Sequence, residues 1–249
     1  MLVIPVVEQA PTGVSTAGAT TTLSTVTPQN YTTYLLWASV SSGAAFTDTA
    51  TVTAYGMTWT KIAGFINGND YHVAFYAYGA PTNPGIAATG SLTFSRTPTS
   101  GRYGILSVPF SQKNDGTDPI YASGSTNGTN TGGSISWSPS ADWSVAEQLS
   151  VSMWAHAAAE ATTHDTTGAT WTELVDTSTV KSMEVQYLQF TADGTHTATW
   201  TSSVFYSGWV VQFKNPALTA AKKNDTRILA TKTAVVPELD DQDVWAMVT

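Results

Sequence analysis

Acid–base chemistry needs a titratable side chain held by a partner, and His164-Asp165 sets an imidazole beside a carboxylate. The pair sits in a threonine-rich stretch, and no Gly-x-Ser-x-Gly turn accompanies it to supply a nucleophile. The other histidines, His72, His156 and His196, are dispersed, and none shows the His-x-x-x-His spacing of a zinc site. Asp115 and Asp118, in Asn114-Asp115-Gly116-Thr117-Asp118-Pro119, alternate along a loop and are weak calcium candidates. The simpler reading is a pair of Asx turns that break the chain, so no metal and no cofactor is expected. Trp137 and Trp143 flank Ser138-Pro139-Ser140-Ala141-Asp142 and are the tryptophans best placed to stack on a sugar ring.

The composition says what kind of body must carry these residues. Only 11% of the 249 residues are charged, against about a quarter in ordinary soluble domains. Polarity therefore comes from Thr, Ser, Asn, Gln and Gly, with about 40 threonines that favour strands. An all-β chain is expected. A net charge of −8 argues against a broad basic face for nucleic acid. There is no cysteine, hence no disulfide or thiolate metal site. The N-terminus lacks the basic and apolar regions of a signal peptide, and no apolar run is long enough to span a membrane. Synthesis in the cytoplasm follows as the expectation.

One stretch is written twice. Gly56-Met57-Thr58-Trp59-Thr60-Lys61-Ile62 returns as Gly168-Ala169-Thr170-Trp171-Thr172-Glu173-Leu174. The neighbouring strands follow in the same order. The apolar run Tyr34-Leu35-Leu36-Trp37-Ala38-Ser39-Val40, suited to a strand buried on both faces, finds its counterpart in 149–155. Asn67-Gly68-Asn69-Asp70 predicts a type I′ hairpin into the strand 71–78, and 185–190 takes that strand's place. Gly208-Trp209-Val210 stands for Gly104-Ile105-Leu106, and 198–201 stands for 92–95. Residues 111–133, rich in Gly, Asn, Ser and Thr, read as a connector between halves. Glu160, Glu173 and Glu184 are among the glutamates of the second half. Glu173 and Glu184 match Lys61 and His72 in the first, so the carboxylate pair that glycoside hydrolysis needs is not repeated. The tryptophans at repeated positions, Trp37, Trp59, Trp154, Trp171, Trp200 and Trp209, are expected in the core.

The pattern predicts a two-sheet antiparallel β-sandwich of jelly-roll-like kind over 14–214, built by internal duplication from half-repeats of about 14–112 and 131–214. Two tandem small sandwiches remain the alternative. Residues 1–13 read as an N-terminal arm and 215–249 as a C-terminal arm, basic at Lys222, Lys223, Arg227 and Lys232 and apolar around Trp245. Those five residues are the candidates for binding a partner.

The Leu-Leu-Trp-Ala-Ser-Val strand, Gly-x-Thr-Trp-Thr, the hairpin into Val-Ala-Phe-Tyr-Ala-Tyr and the closing Gly-aliphatic strand together resemble a β-sandwich module of phage and bacterial surface proteins. The resemblance covers about residues 14–214 and brings no functional residue with it. It implies a non-enzymatic structural protein of a virus particle, placed as capsid decoration or a tail component. Its partners would be other virion proteins and copies of itself, with no nucleic acid and no membrane. The alternative is a carbohydrate-binding or adhesin module that meets a host-surface glycan.

Overall fold

The computed structural model describes residues 4–14, 19–29, 32–79, 85–109, 118–137, 149–164, 171–189 and 194–213. They form β1 (Val6–Val14), β2 (Thr20–Val26), β3 (Thr32–Ser41), β4 (Thr51–Ala54), β5 (Trp59–Asn67), β6 (Asp70–Ala77) and β7 (Ala88–Thr93). The chain continues with β8 (Ser100–Pro109), β9 (Ile120–Trp137), β10 (Leu149–His156), β11 (Thr163–His164), β12 (Thr172–Thr177), β13 (Ser182–Gln189) and β14 (Gly194–Phe213). No helix occurs among the described residues, and the strands pair antiparallel throughout. One compact unit runs to Pro216; a second, from Ala217, lies outside the described residues. Residues 6–13 of the expected N-terminal arm lie in β1, an edge strand of the body.

The expected all-β antiparallel architecture is present, and its hydrogen bonds divide it into three sheets. A small sheet has the order β2-β7-β4 and a central sheet the order β1-β8-β3-β6-β5. A far sheet runs β11-β14-β10-β13-β12, with β9 also on β14. The first core lies between small and central sheets, where Leu23 and Leu92 meet Leu36, Val73 and Ile105. The second lies between central and far sheets, where Leu35, Trp37 and Leu106 meet Val151, Val185 and Trp209. A third lies within the far sheet, where the outer halves of β9 and β14 fold over Trp154. The central sheet is thus covered on both faces, which is why nearly every residue of β3 and β6 is buried.

The central and far sheets share a strand order, β8-β3-β6-β5 and β14-β10-β13-β12. Requiring that matched residues also face the same core refines the expected correspondence by one residue in places. Trp59 still matches Trp171, each against the core on its own sheet's outer side, and the bulges at Ile62 and Leu174 coincide at the same spacing of 112. Ala74, however, matches Val185, and Leu106 matches Val211, since all four face the second core. Trp37 and Trp154 are not counterparts. Trp37 faces the second core with Gly104 beneath it, whereas Trp154 faces the third with Gly208 beneath it.

Two turns were placed differently from expectation. At the 67–70 hairpin Asn67 pairs with Asp70, and positive φ occurs at Gly68 alone, as in a type II′ turn. The turn with two positive φ values joins β4 to β5. Tyr55 (φ 59°) and Gly56 (φ 67°) lie there between the bridged residues Ala54 and Met57. The glycine that opens the repeated motif is therefore a turn residue. Tyr55 holds its left-handed backbone with a hydroxyl that donates to the Ser24 carbonyl at 2.9 Å.

Residues 120–133, expected within the connector, are instead most of β9, an eighteen-residue strand along β14. Backbone pairing needs no apolar side chain, and small residues let the ribbon fold over itself. A Cβ on Gly124 would lie 2.8 Å from Ile135, and one on Gly133 would lie 2.3 Å from the Tyr206 ring. β14 likewise joins two expected strands into one, with a break in register between Thr199 and Val204 where it bends.

The same close approach makes a prediction. A Cβ on Gly208 would meet the Trp154 ring at 2.4 Å. Gly208→Ala should therefore destabilise the chain by about 1–3 kcal/mol through overpacking, measured by urea denaturation.

Candidate functional site

The register shows that the first and third cores differ in chemistry. Where the first has Tyr34, Leu36, Ala38 and Val40 along β3, the third has Ser150, Ser152, Trp154 and His156 along β10. Val73 and Phe75 of β6 are replaced by Glu184 and Gln186 of β13. The interior of the far sheet is thus polar and lined by tryptophan. Gln186 Nε2 donates to Glu184 Oε1 at 2.9 Å. The His156 ring stacks on Trp200 at 4.7 Å between centroids, and His196 lies 4.3 Å from Trp171. Glu184 is fully buried. Burial, reinforced by Asp176 and Glu173, raises its carboxyl to about 9, so it is protonated at neutral pH.

A second polar group bridges the central and far sheets. Lys181 Nζ lies 2.9 Å from Asp70 Oδ1 and also donates to the Ala157 carbonyl at 3.2 Å. Burial opposes the charge on Asp70, but hydrogen bonds from Ser41 and Lys181 prevail and hold its pKa low. Next to this pair, His72 Nδ1 sits 2.7 Å from Ser207 Oγ, and its ring lies 4.6 Å from Phe205. Burial, with Lys181 nearby, lowers His72 to about 3 and burial lowers His156 to about 4, so both rings are neutral. These groups tie two sheets together.

A concave feature of the described surface lies where β9 and β14 bend. It is a groove of about 510 Å³ lined among others by Thr126, Asn130, Gly133, Ser134, Thr199 and Tyr206. Its lining offers hydroxyls, an amide, backbone groups and a tyrosine ring, and no carboxylate, imidazole or amine. Such a lining can hydrogen-bond an uncharged polar ligand.

The sequence candidates scatter. Asp118 Oδ1 accepts from the Ile120 N–H at 2.9 Å, the Asx geometry that starts β9, and Oδ2 accepts from the Tyr76 hydroxyl at 2.9 Å. Asp115 lies outside the described residues, and no group of three metal-ligating side chains occurs among the described ones. His164 lies in β11 opposite Ala198, with Asp165 outside. Glu160 accepts backbone N–H groups from Thr201 and Ser202, at 3.1 and 2.7 Å, and so caps the bend in β14. Trp137 ends β9 opposite Gly194, and its side chain lies outside the described set, as do Trp143, Lys222, Lys223, Arg227, Lys232 and Trp245. The Asp70–Lys181 bridge had no sequence signal, because its partners lie 111 residues apart.

Comparison of the chain with known protein families, curated proteins and solved structures finds no match in any of the three.

The buried groups set the response to pH. The two histidines take up protons on unfolding, so their contribution to stability is complete above pH 6.5 and is lost as pH falls toward 4 and then 3. Glu184 runs the other way. Its contribution is complete below the ordinary 4.5 and is lost as pH rises to about 9. Between pH 6.5 and 8.5 stability should fall by about 1.4 kcal/mol per pH unit through this carboxyl. Urea denaturation of Glu184→Gln over that interval should show no such slope.

Proposed function

We propose that the chain is a structural component of a virus particle, a phage in the simplest case, exposed at the particle surface as capsid decoration or as a tail-associated protein. The observation that carries this reading is the composition, poor in charge, rich in Thr, Ser and Gly and without cysteine, together with the change of character after Pro216 to a basic and then an acidic, apolar-ended stretch. Lys222, Lys223, Arg227, Lys232 and Trp245 are the residues assigned to neighbouring subunits. The buried titratable groups support a structural rather than a catalytic role, because His72, His156 and Glu184 are enclosed and held neutral. We also infer that the two halves descend from one duplicated unit. Support comes from the shared strand order and from bulges that fall at the same place in the repeated motif.

Deletion of residues 217–249 should leave a folded body with an unchanged thermal transition that no longer joins its assembly. A truncated chain that assembles normally would sink this reading.

The groove at the β9–β14 bend favours a second reading, a carbohydrate-binding or adhesin module. It presents hydroxyl and amide groups beside an aromatic ring, and β9 carries Trp137 three residues beyond Ser134 of the groove. A glycan array read with the full chain separates the two. The structural reading expects no bound sugar; a glycan whose binding drops tenfold or more in Asn130→Ala or Trp137→Ala would establish the other.

A further inference from the structure

The edges of a sheet are where its backbone can still pair, and this chain guards them unequally. β1, one edge of the central sheet, carries Glu8 and Pro11 and two shifts of register. β5, the other edge, carries Lys61 and the bulge at Ile62. β12, on the far sheet, carries Glu173, Asp176 and the bulge at Leu174. On the small sheet β4 has four residues, and side chains cover the outer backbone of β2. Gln9 accepts from the Ser24 N–H, while Tyr55 and Tyr103 donate to the carbonyls of Ser24 and Thr22. Charge, proline, bulges and short length are the devices that keep edges from pairing.

β9 has none of them along its main run. It is eighteen residues long with no charged residue and no proline, and its register with β14 is unbroken over residues 122–130. Among the described residues it pairs only with β14, so its second ladder of N–H and C=O groups is open. Ser123, Ser125, Asn127 and Thr129 are exposed along one side.

We propose that this edge pairs antiparallel with β9 of a second copy of the chain, joining two far sheets into one continuous sheet. The choice of partner follows from charge. Across a two-fold axis each residue near the axis faces its own image or a close neighbour, so any charge there would meet a like charge. The chain carries a net charge of −8, and its other long edges bear charges; β9 is the long edge that can meet itself without repulsion. An axis at Thr126, the midpoint of 122–130, sets Ser125 opposite Asn127 of the partner copy. The proposal concerns the body and holds whether or not the assembly is a virus particle.

The test uses charge to break and then restore the pairing, with the full-length chain in sedimentation equilibrium at about 1–100 μM. The wild type should be dimeric in this range. The double variants Ser125→Lys/Asn127→Lys and Ser125→Glu/Asn127→Glu should each dimerise at least tenfold more weakly while keeping the wild-type circular dichroism. An equimolar mixture of the two should recover the dimer, since opposite charges then face across the axis. A monomeric wild type, an unweakened lysine variant, or a mixture that stays monomeric would each overturn the proposal.

Discussion

Burial of the central sheet on both faces is the constraint from which most of this structure follows. Apolar contact with the small sheet on one side and the far sheet on the other removes β3 and β6 from water along their length. A strand so placed cannot carry an uncompensated charge, because desolvation would cost several kcal/mol. The charge-poor composition is thus a requirement of layering. Where ionisable groups do enter the layers, each is neutralised in place. Asp70 meets Lys181, His72 stays unprotonated beside Ser207, and Glu184 keeps its proton beside Gln186.

The layering also separates two kinds of interior. The first two cores are aromatic or aliphatic. The third sets tryptophans among serine, histidine, glutamine and a protonated glutamate. Polar groups in a low-dielectric interior favour one arrangement over close alternatives when they are mutually hydrogen-bonded. Here they sit under the folded-over ribbon of β9 and β14, in which the residues of β9 are mostly small. The glycine cradle around Tyr206, formed by Gly128 and Gly133, gives that ribbon its fixed point.

Much of the architecture was legible in the sequence because strand burial leaves a plain record. The continuous apolar run at 34–40 became a strand covered on both faces, and Gly-x-Thr-Trp-Thr marked matching strands in two sheets. What escaped was whatever depends on facing rather than on residue type. Trp37 and Trp154 look like counterparts yet point to different cores, since a shift of one residue reverses a strand's faces without changing its composition. β9 escaped for another reason. Its partner β14 supplies nearly all the apolar surface, so its own residues carry no hydrophobic period. The Gly56 turn was hidden because the residue before it is a tyrosine, which rarely takes positive φ. Among the candidate residues, Asp118 shows its side chain as the turn that starts β9 and Glu160 as the cap on the bend in β14.

The strict order of the sheets along the chain governs how the protein can be made. Every strand of the small and central sheets comes from residues 6–109, and every strand of the far sheet from residues 120–213. A ribosome therefore releases the first pair of sheets complete, with Leu35, Trp37, Leu106 and Val108 bare on the outer side. That bare face stays wet until β14 arrives, because β14 lies between β9 and β10 in the far sheet and is the last made of the described strands. For the time needed to synthesise about a hundred residues, the nascent chain offers an adhesive apolar wall. Crowding of ribosomes on one message, or a pause within residues 110–213, would hence penalise yield of this protein far more than its finished stability suggests.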